Sequence, residues 1–203
     1  MSVNFGDTFR AVFFYPDQII KVVQGSTETL PGYYIAAAAG GSAAGTANLA
    51  KPLTFEVLSG FTILNTRIFT QTQLNKLGEK GIAVLQPVTG GAQILHGKTT
   101  TQSGAPEEEE FSIVCIRDRI ASVMRAGFRA FIGQGEDPTL IPSLIAKAIS
   151  ILGAFVSQNL ITAYRNLSVT RDEVEPRQYN VRVEVQPNYP VNWIFVDVSV
   201  GLF

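Results

Sequence analysis

Residues 111–131, FSIVCIRDRIASVMRAGFRAF, decide how the chain is read. Ile116, Ile120, Val123, Met124, Gly127, Phe128 and Phe131 fall at offsets 0, 4, 7, 8, 11, 12 and 15. That spacing traces one face of a helix with 3.6 residues per turn. Arg117, Arg119, Arg125 and Arg129 lie off this stripe. The apolar run Phe111 to Cys115 is expected as a strand leading into the helix. Gly133 to Asp137 breaks the helix and Pro138 starts another. In that second helix Ile141, Leu144, Ile145, Ala148, Ile151, Leu152, Phe155 and Val156 keep one face, with Ile149 at its side. Two helices with matching apolar stripes are expected to pack as a pair.

Toward the C-terminus the period changes. Tyr179, Val181, Val183 and Val185 alternate with Asn180, Arg182, Glu184 and Gln186, which is the pattern of a half-buried strand. Pro187 to Pro190 makes a turn. Val191 to Phe203 reads as a final strand in which Trp193, Ile194, Phe195 and Val196 are apolar on both faces. A strand of that kind needs cover on both sides, and an uncharged apolar end from Val198 to Phe203 is a hazard for a free monomer. A covering surface from another chain would remove the hazard.

Toward the N-terminus, Ala11 to Tyr15 and Gln18 to Val23 read as strands. Pro31 opens a helix expected over 32–44, whose small side chains (AAAAGGSAAG) suit a tightly packed core helix. No GKS, GKT or GxGxxG stands there to make it a phosphate loop. Phe61 to Ile68 is a strand or a partly buried loop. Thr70 to Gly81 is a capped helix, with Leu74 and Leu77 on one face. Ile82 to Val88, a turn at 89–91 and Ala92 to Leu95 make a hairpin. Thr99 to Glu110, with four successive glutamates, reads as a surface loop whose charges are solvated or face a neighbouring subunit. It is also the one plausible internal boundary. The expected fold class is α+β: a sheet with helices packed on it, in a single domain over 1–203.

Composition narrows the function. The chain has 203 residues, 46% hydrophobic and 16% charged, with a net charge of −1. This is no disordered chain, and it lacks the basic excess of a general nucleic-acid binder. The charged fraction lies below the usual ~25%, so much of the surface is expected to be hidden in an assembly. One cysteine (Cys115) and one histidine (His96) offer no disulfide and no multi-histidine metal site. Cys115 lies in an apolar run and reads as a buried structural thiol. No GxSxG accompanies His96, and Glu107 to Glu110 lack EF-hand spacing. No catalytic residue, cofactor or metal is therefore expected. The N-terminus lacks the pattern of a secretory signal, and the weakly polar stretch 33–49 lacks the large side chains of a membrane span. The expectation is a soluble chain folded inside the cell. Arg125 and Arg129, spaced i,i+4, form a basic patch that is either a solvated face or a contact with an acidic neighbour.

The order of segments resembles a known family. LPGYYIAAAAGG, KPLTFEVLSGF, TQLNKLGEKGIAVLQPVTGGAQILHGKTT and IVCIRDRIASVMRAGFRAFIG, followed by a β-rich tail, are similar to the C-terminal half of contractile tail sheath proteins. These occur in phages with contractile tails and in related injection machines. The resemblance covers about residues 20 to 203. It implies a structural subunit, a homo-oligomer in stacked hexameric rings around a tail tube protein, and an inner, tube-facing α/β domain. It further implies terminal strands exchanged between neighbours, and contraction that drives injection without a chemical step. On it, the strand with Val191, Trp193, Phe195, Val196, Val198 and Val200 is donated or accepting, and Ala11 to Tyr15 belongs to the same sheet. Arg125 and Arg129 meet the tube or a neighbour. The location implied is the virion tail, after assembly in the host bacterial cytoplasm, with neither nucleic acid nor membrane as partner. Members of the family commonly carry a longer N-terminal arm and outer domains, so a short subunit and a fragment are both open. Two other classes stay open: a baseplate or tail-completion component, and an enzyme built around His96 and Glu107 to Glu110.

Overall fold

A helix pair and a two-stranded ribbon form one end of the molecule, and two small sheets around one helix form the other. The computed structural model describes residues 10–46, 48–63, 69–135 and 137–191. The N-terminal part holds β1 (Phe13–Tyr15), β2 (Gln18–Val23), β3 (Ser26–Pro31), α1 (Tyr33–Gly45), β4 (Val57–Ser59), β5 (Thr62–Ile63), α2 (Gln71–Glu79), β6 (Ile82–Val88) and β7 (Gly91–Ile94). One sheet has the order β1-β6-β7-β4 and a second the order β3-β2-β5. Among the described residues only β1 pairs in parallel, Phe13 opposite Ile82 and Tyr15 opposite Val84. The core between these elements contains Ile19, Ile35, Ala39, Leu58, Ala83 and Ile94.

After a short helix α3 (Pro106–Glu109) come α4 (Phe111–Phe128), a 3₁₀ turn (Arg129–Phe131), α5 (Leu140–Ser157), β8 (Ile161–Arg171) and β9 (Tyr179–Pro187). A second core joins Ile116, Ile120 and Met124 of α4 to Ala148, Ile151, Leu152 and Phe155 of α5, with Leu160 and Ile161 beneath. The expected helix pair is thus present. Its axes approach closely at Gly127, where a Cβ would lie 2.7 Å from Ile151 Cδ1. A larger residue there would hold the helices apart.

Several expectations are corrected. Phe111 to Cys115 is not a strand: it is the first turn and a half of α4. Ser112, Ile113 and Val114 are buried there, so tertiary packing overrides their β-preference. Pro31 does not open α1: it ends strand β3, which the sequence reading missed, and Gly32 takes the cap position. Nor is α1 a core helix on all sides. Only Ile35 and Ala39 are buried, while Ala36, Ala37, Gly40 and Gly41 face outward. The second long helix begins at Leu140, two residues after Pro138, and Ile149 is exposed. The glutamate run is not a solvated loop, as its bonding below makes plain.

Other expectations hold. α2 carries a full capping box, in which the Thr70 side chain accepts from Gln73 N and the Gln73 side chain accepts from Thr70 N. β2 and β6 have the expected bounds. β9 shows the expected alternation, with Val181, Val183 and Val185 half-buried and Asn180, Arg182, Glu184 and Gln186 exposed. α5 is also long and apolar enough to cross a membrane by length and composition alone. Here its buried side faces α4 and β8.

Candidate assembly surface

The ribbon of β8 and β9 is antiparallel, running from Ile161 opposite Pro187 to Arg171 opposite Tyr179. Its register shifts between Ile161 and Ala163, and again between Arg165 and Ser168. Asn166 takes a left-handed φ of 54° within the second shift, which is the local cost of the extra residue. The inner face of the ribbon, with Tyr164, Leu167, Val183 and Val185, packs on the second core. Among the described residues no third strand pairs with either edge of it.

The cover over the helices is uneven. α5 packs along β8, whereas an open groove of about 540 Å³ separates α4 from β9. Its floor is apolar: Ile120, Met124 and Phe128 from α4, Val181, Val183 and Val185 from β9. Arg117, Arg125 and Arg182 line it as well, and no carboxylate does among the described residues. Two packed helices are about 8–10 Å apart axis to axis, and neighbouring strands only about 4.8 Å, so two strands cannot roof two helices. The open space lies on the β9 side.

The sequence reading paired Arg125 with Arg129, and the structure separates their settings. Arg125 is exposed on the last turn of α4 and borders the groove. Arg129 opens the following 3₁₀ turn and does not line it. Of the expected strand-exchange residues, Val191 is described and is 78% exposed. Trp193, Phe195, Val196, Val198 and Val200 lie outside the described residues. Arg182 and the groove itself were missed. The alternation of β9 marks Arg182 only as outward, and the gap appears once α4 and β9 are placed together.

Glu107 to Glu110 form a bonded knot. Glu107 Oε1 accepts from the Tyr189 hydroxyl at 2.6 Å, a bond that holds the carboxyl below its ordinary range and pushes the phenol up. Glu109 accepts from Lys98 Nζ at 3.1 Å and from Gly104 N at 2.9 Å. The Glu108 carbonyl accepts from Thr99 Oγ1 at 2.6 Å. Glu110 is buried, bridges to Lys98 through the backbone, and accepts from Ser112 Oγ. One of these partners, Tyr189, comes from a distant part of the chain, which a local reading does not foresee.

His96 is half-buried beyond the end of β7, its ring against the backbone of Gly78 in α2. Its Nε2 is buried with no hydrogen-bond partner among the described residues. Burial, and then the charge of Lys98, lower its pKa. The glutamate knot bonds to Lys98, Thr99, Gly104, Ser112 and Tyr189, and among the described residues the structure does not join it to His96. Cys115 lies on α4, half-buried beside a small cavity lined also by Leu49 and Phe111, and burial raises its pKa. Among the described residues no cluster of three His, Cys, Asp or Glu side chains is placed to hold a metal.

Comparison with known proteins bears on this arrangement. No protein-family model matches the chain. In sequence it is similar to a tail sheath protein of Mycobacterium phage Bxz1, 29% identical over 193 residues that make up 94% of this chain and 32% of that protein. In structure it is similar to a chain of the anti-feeding prophage baseplate, with a TM-score of 0.80, 17% identity and cover of 99% of this chain and 59% of that one. It is likewise similar to the anti-feeding prophage helical sheath in its contracted state, with a TM-score of 0.79, 16% identity and cover of 98% and 58%. The chain therefore spans about a third of its curated relative. The fold described here is one found in contractile tail sheaths, and the chain resembles tail sheath proteins over nearly its whole length.

Proposed function

We propose that the chain is a structural subunit of a contractile tail sheath, assembling with its own copies in stacked rings around a tail tube, and that contraction of the stack drives injection. The observation that carries this reading is the ribbon, two strands wide among the described residues, over a helix pair in a chain similar along its length to a tail sheath protein. Strand addition would supply the missing cover through main-chain hydrogen bonds, with pockets for alternate side chains. The strand with Val191, Trp193, Phe195, Val196, Val198 and Val200 is the exchanged element, and the free edge of β9 is an acceptor. Arg125 meets the added chain at the groove, and Arg129 meets the tube or a neighbour. The whole of 1–203 acts as one domain, performs no catalysis, needs no cofactor, and binds neither nucleic acid nor membrane. Its place is the virion tail, after assembly in the host cytoplasm.

A ring-forming baseplate component is a second reading, favoured by the likeness to a chain of the anti-feeding prophage baseplate. Negative-stain electron microscopy of the full chain, beside a chain ended after Gln186, separates the outcomes. Hollow tubes that vanish on truncation support the sheath subunit. Rings that never stack support the baseplate component, and single particles from both chains overturn strand exchange in this protein.

A further inference from the structure

We propose that Phe55, with Val57 beside it on the edge strand β4, is an apolar anchor that docks on a second copy of this chain. The inference rests on the assembly reading above and deepens it by naming a contact that involves no exchanged strand.

The backbone at Phe55 is the first observation. Its φ is 63°, the left-handed region that glycine and asparagine adopt readily and a bulky aromatic residue rarely does. A strained backbone persists only where its surroundings over-determine it. Here they do. Phe55 N donates to the Ile94 carbonyl at 2.7 Å. Gln93 Nε2 donates to the Phe55 carbonyl at 3.2 Å, and Gln86 Nε2 donates to Gln93 Oε1 at 3.3 Å. A relay of two glutamine amides thus crosses the sheet from β6 through β7 and holds this one residue. What the strain delivers is a phenyl ring that is 55% exposed.

The sheet continues the patch. Val57 lies opposite Gln93, and Gln93 opposite Gln86, so the three share one face. Leu58, Ala92 and Ile94 point to the other face, into the first core. Val57 is 43% exposed. Among the described residues no strand pairs with the outer edge of β4.

Charge selects the occupant. Phe55, Val57, Ser59, Gln86 and Gln93 carry none, and the two charges nearest Phe55 in sequence, Lys51 and Glu56, are bonded to each other. A charged surface laid here would lose its water and meet no counter-charge. The complement is an uncharged surface, and the chain offers one itself. No charged residue stands between Leu30 and Ala50, and α1 turns Tyr33, Ala36, Ala37, Gly40 and Gly41 outward. Patch and complement are different surfaces, so the contact is heterologous and repeats from copy to copy, as a ring or a stack requires.

The test compares Phe55→Ala and Phe55→Gly in the full chain, beside the parent and a chain ended after Gln186. Both substitutions remove the ring, and only glycine also relieves the backbone. Below the assembling concentration, Phe55→Gly should therefore melt about 2–4 °C above Phe55→Ala. The second readout is the concentration at which half of the purified chain sediments as assembly. Both variants should raise it about tenfold, the glycine variant no less than the alanine one. A purely structural role predicts instead that assembly follows melting temperature, so a glycine variant that recovers assembly overturns the anchor. Variants that assemble like the parent overturn it as well, and the assembly reading then stands if the truncated chain fails to assemble. A glycine variant that melts no higher than the alanine one overturns the left-handed setting and the anchor with it. A parent chain that never assembles overturns the assembly reading and the anchor together.

Discussion

The two halves of the molecule close their cores differently. In the N-terminal half, strands from two sheets surround Ile19, Ile35, Ala83 and Ile94, which have no exposed surface. In the C-terminal half, Leu152 and Ala148 are equally buried, yet the same core opens on one side into the groove beside β9. The helices of the second half also leave apolar surface uncovered at Ile141 and Ile149, as the first half does at Val22, Tyr33 and Phe55. A core that is complete needs nothing further. A core missing part of its roof has affinity for whatever supplies it, because apolar area removed from water is worth about 25 cal/mol per Å².

The strongest way to break this contrast is to empty one core at a time. Ile94→Ala in the first half and Leu152→Ala in the second should each cost about 2–5 kcal/mol, read as a fall in the denaturant midpoint. If the halves act as one domain, both variants keep a single transition. Two separated transitions after Leu152→Ala would show that the roofless half unfolds alone. A smaller effect is expected at Gly78. An added Cβ would strike the His96 ring, which has no flexible end to move aside. Gly78→Ala should cost about 1–3 kcal/mol in the same assay, and a variant as stable as the parent would mean that α2 is free to shift.

The first half should also be the more sensitive to mild acid. Burial lowers the pKa of His96, so the unfolded chain takes up a proton that the folded chain refuses. Stability from this source is therefore present at neutral pH and is lost as pH falls below about 6.5, the ordinary histidine value. Denaturation curves at pH 7.5 and 5.5 should differ for the parent and converge for His96→Leu. The smallest effect belongs to Tyr189→Phe. It removes one exposed hydrogen bond and should leave the melting temperature of the monomer within error, while removing one raised phenol from the tyrosine titration.

Much of the fold was legible because periodicity reports burial. The stripe from Ile116 to Phe128, the stripe from Leu144 to Phe155 and the alternation of Tyr179 to Val185 each appear in the structure on the side the pattern names. Failures cluster where local preference and tertiary setting disagree. Phe111 to Cys115 has a strand's composition and a helix's neighbours. Strand β3, STETLP, is an exposed edge whose residues record only its pairing with β2, not a buried face. The glutamate run looks solvated because Tyr189 and Lys98, which bind it, are distant in sequence or not marked by any motif. For the proposed assembly surface, the sequence exposes an apolar segment and hides the groove. An apolar segment is visible in one stretch of chain, but a groove exists only between two stretches.

The bonds around Asn188 bear on how the molecule carries load. Asn188 N donates to the Leu160 carbonyl at 3.1 Å, its side-chain amide donates to the Asn159 carbonyl at 3.1 Å, and Tyr189 reaches Glu107. All three lie at the mouth of the ribbon, where β9 leaves and β8 begins. Antiparallel strands drawn apart at that mouth part rung by rung, like a zipper. On the strand exchange proposed above, a pull through Val191 would meet these three bonds before it meets the ladder, and they would act as a staple at the mouth of the ribbon.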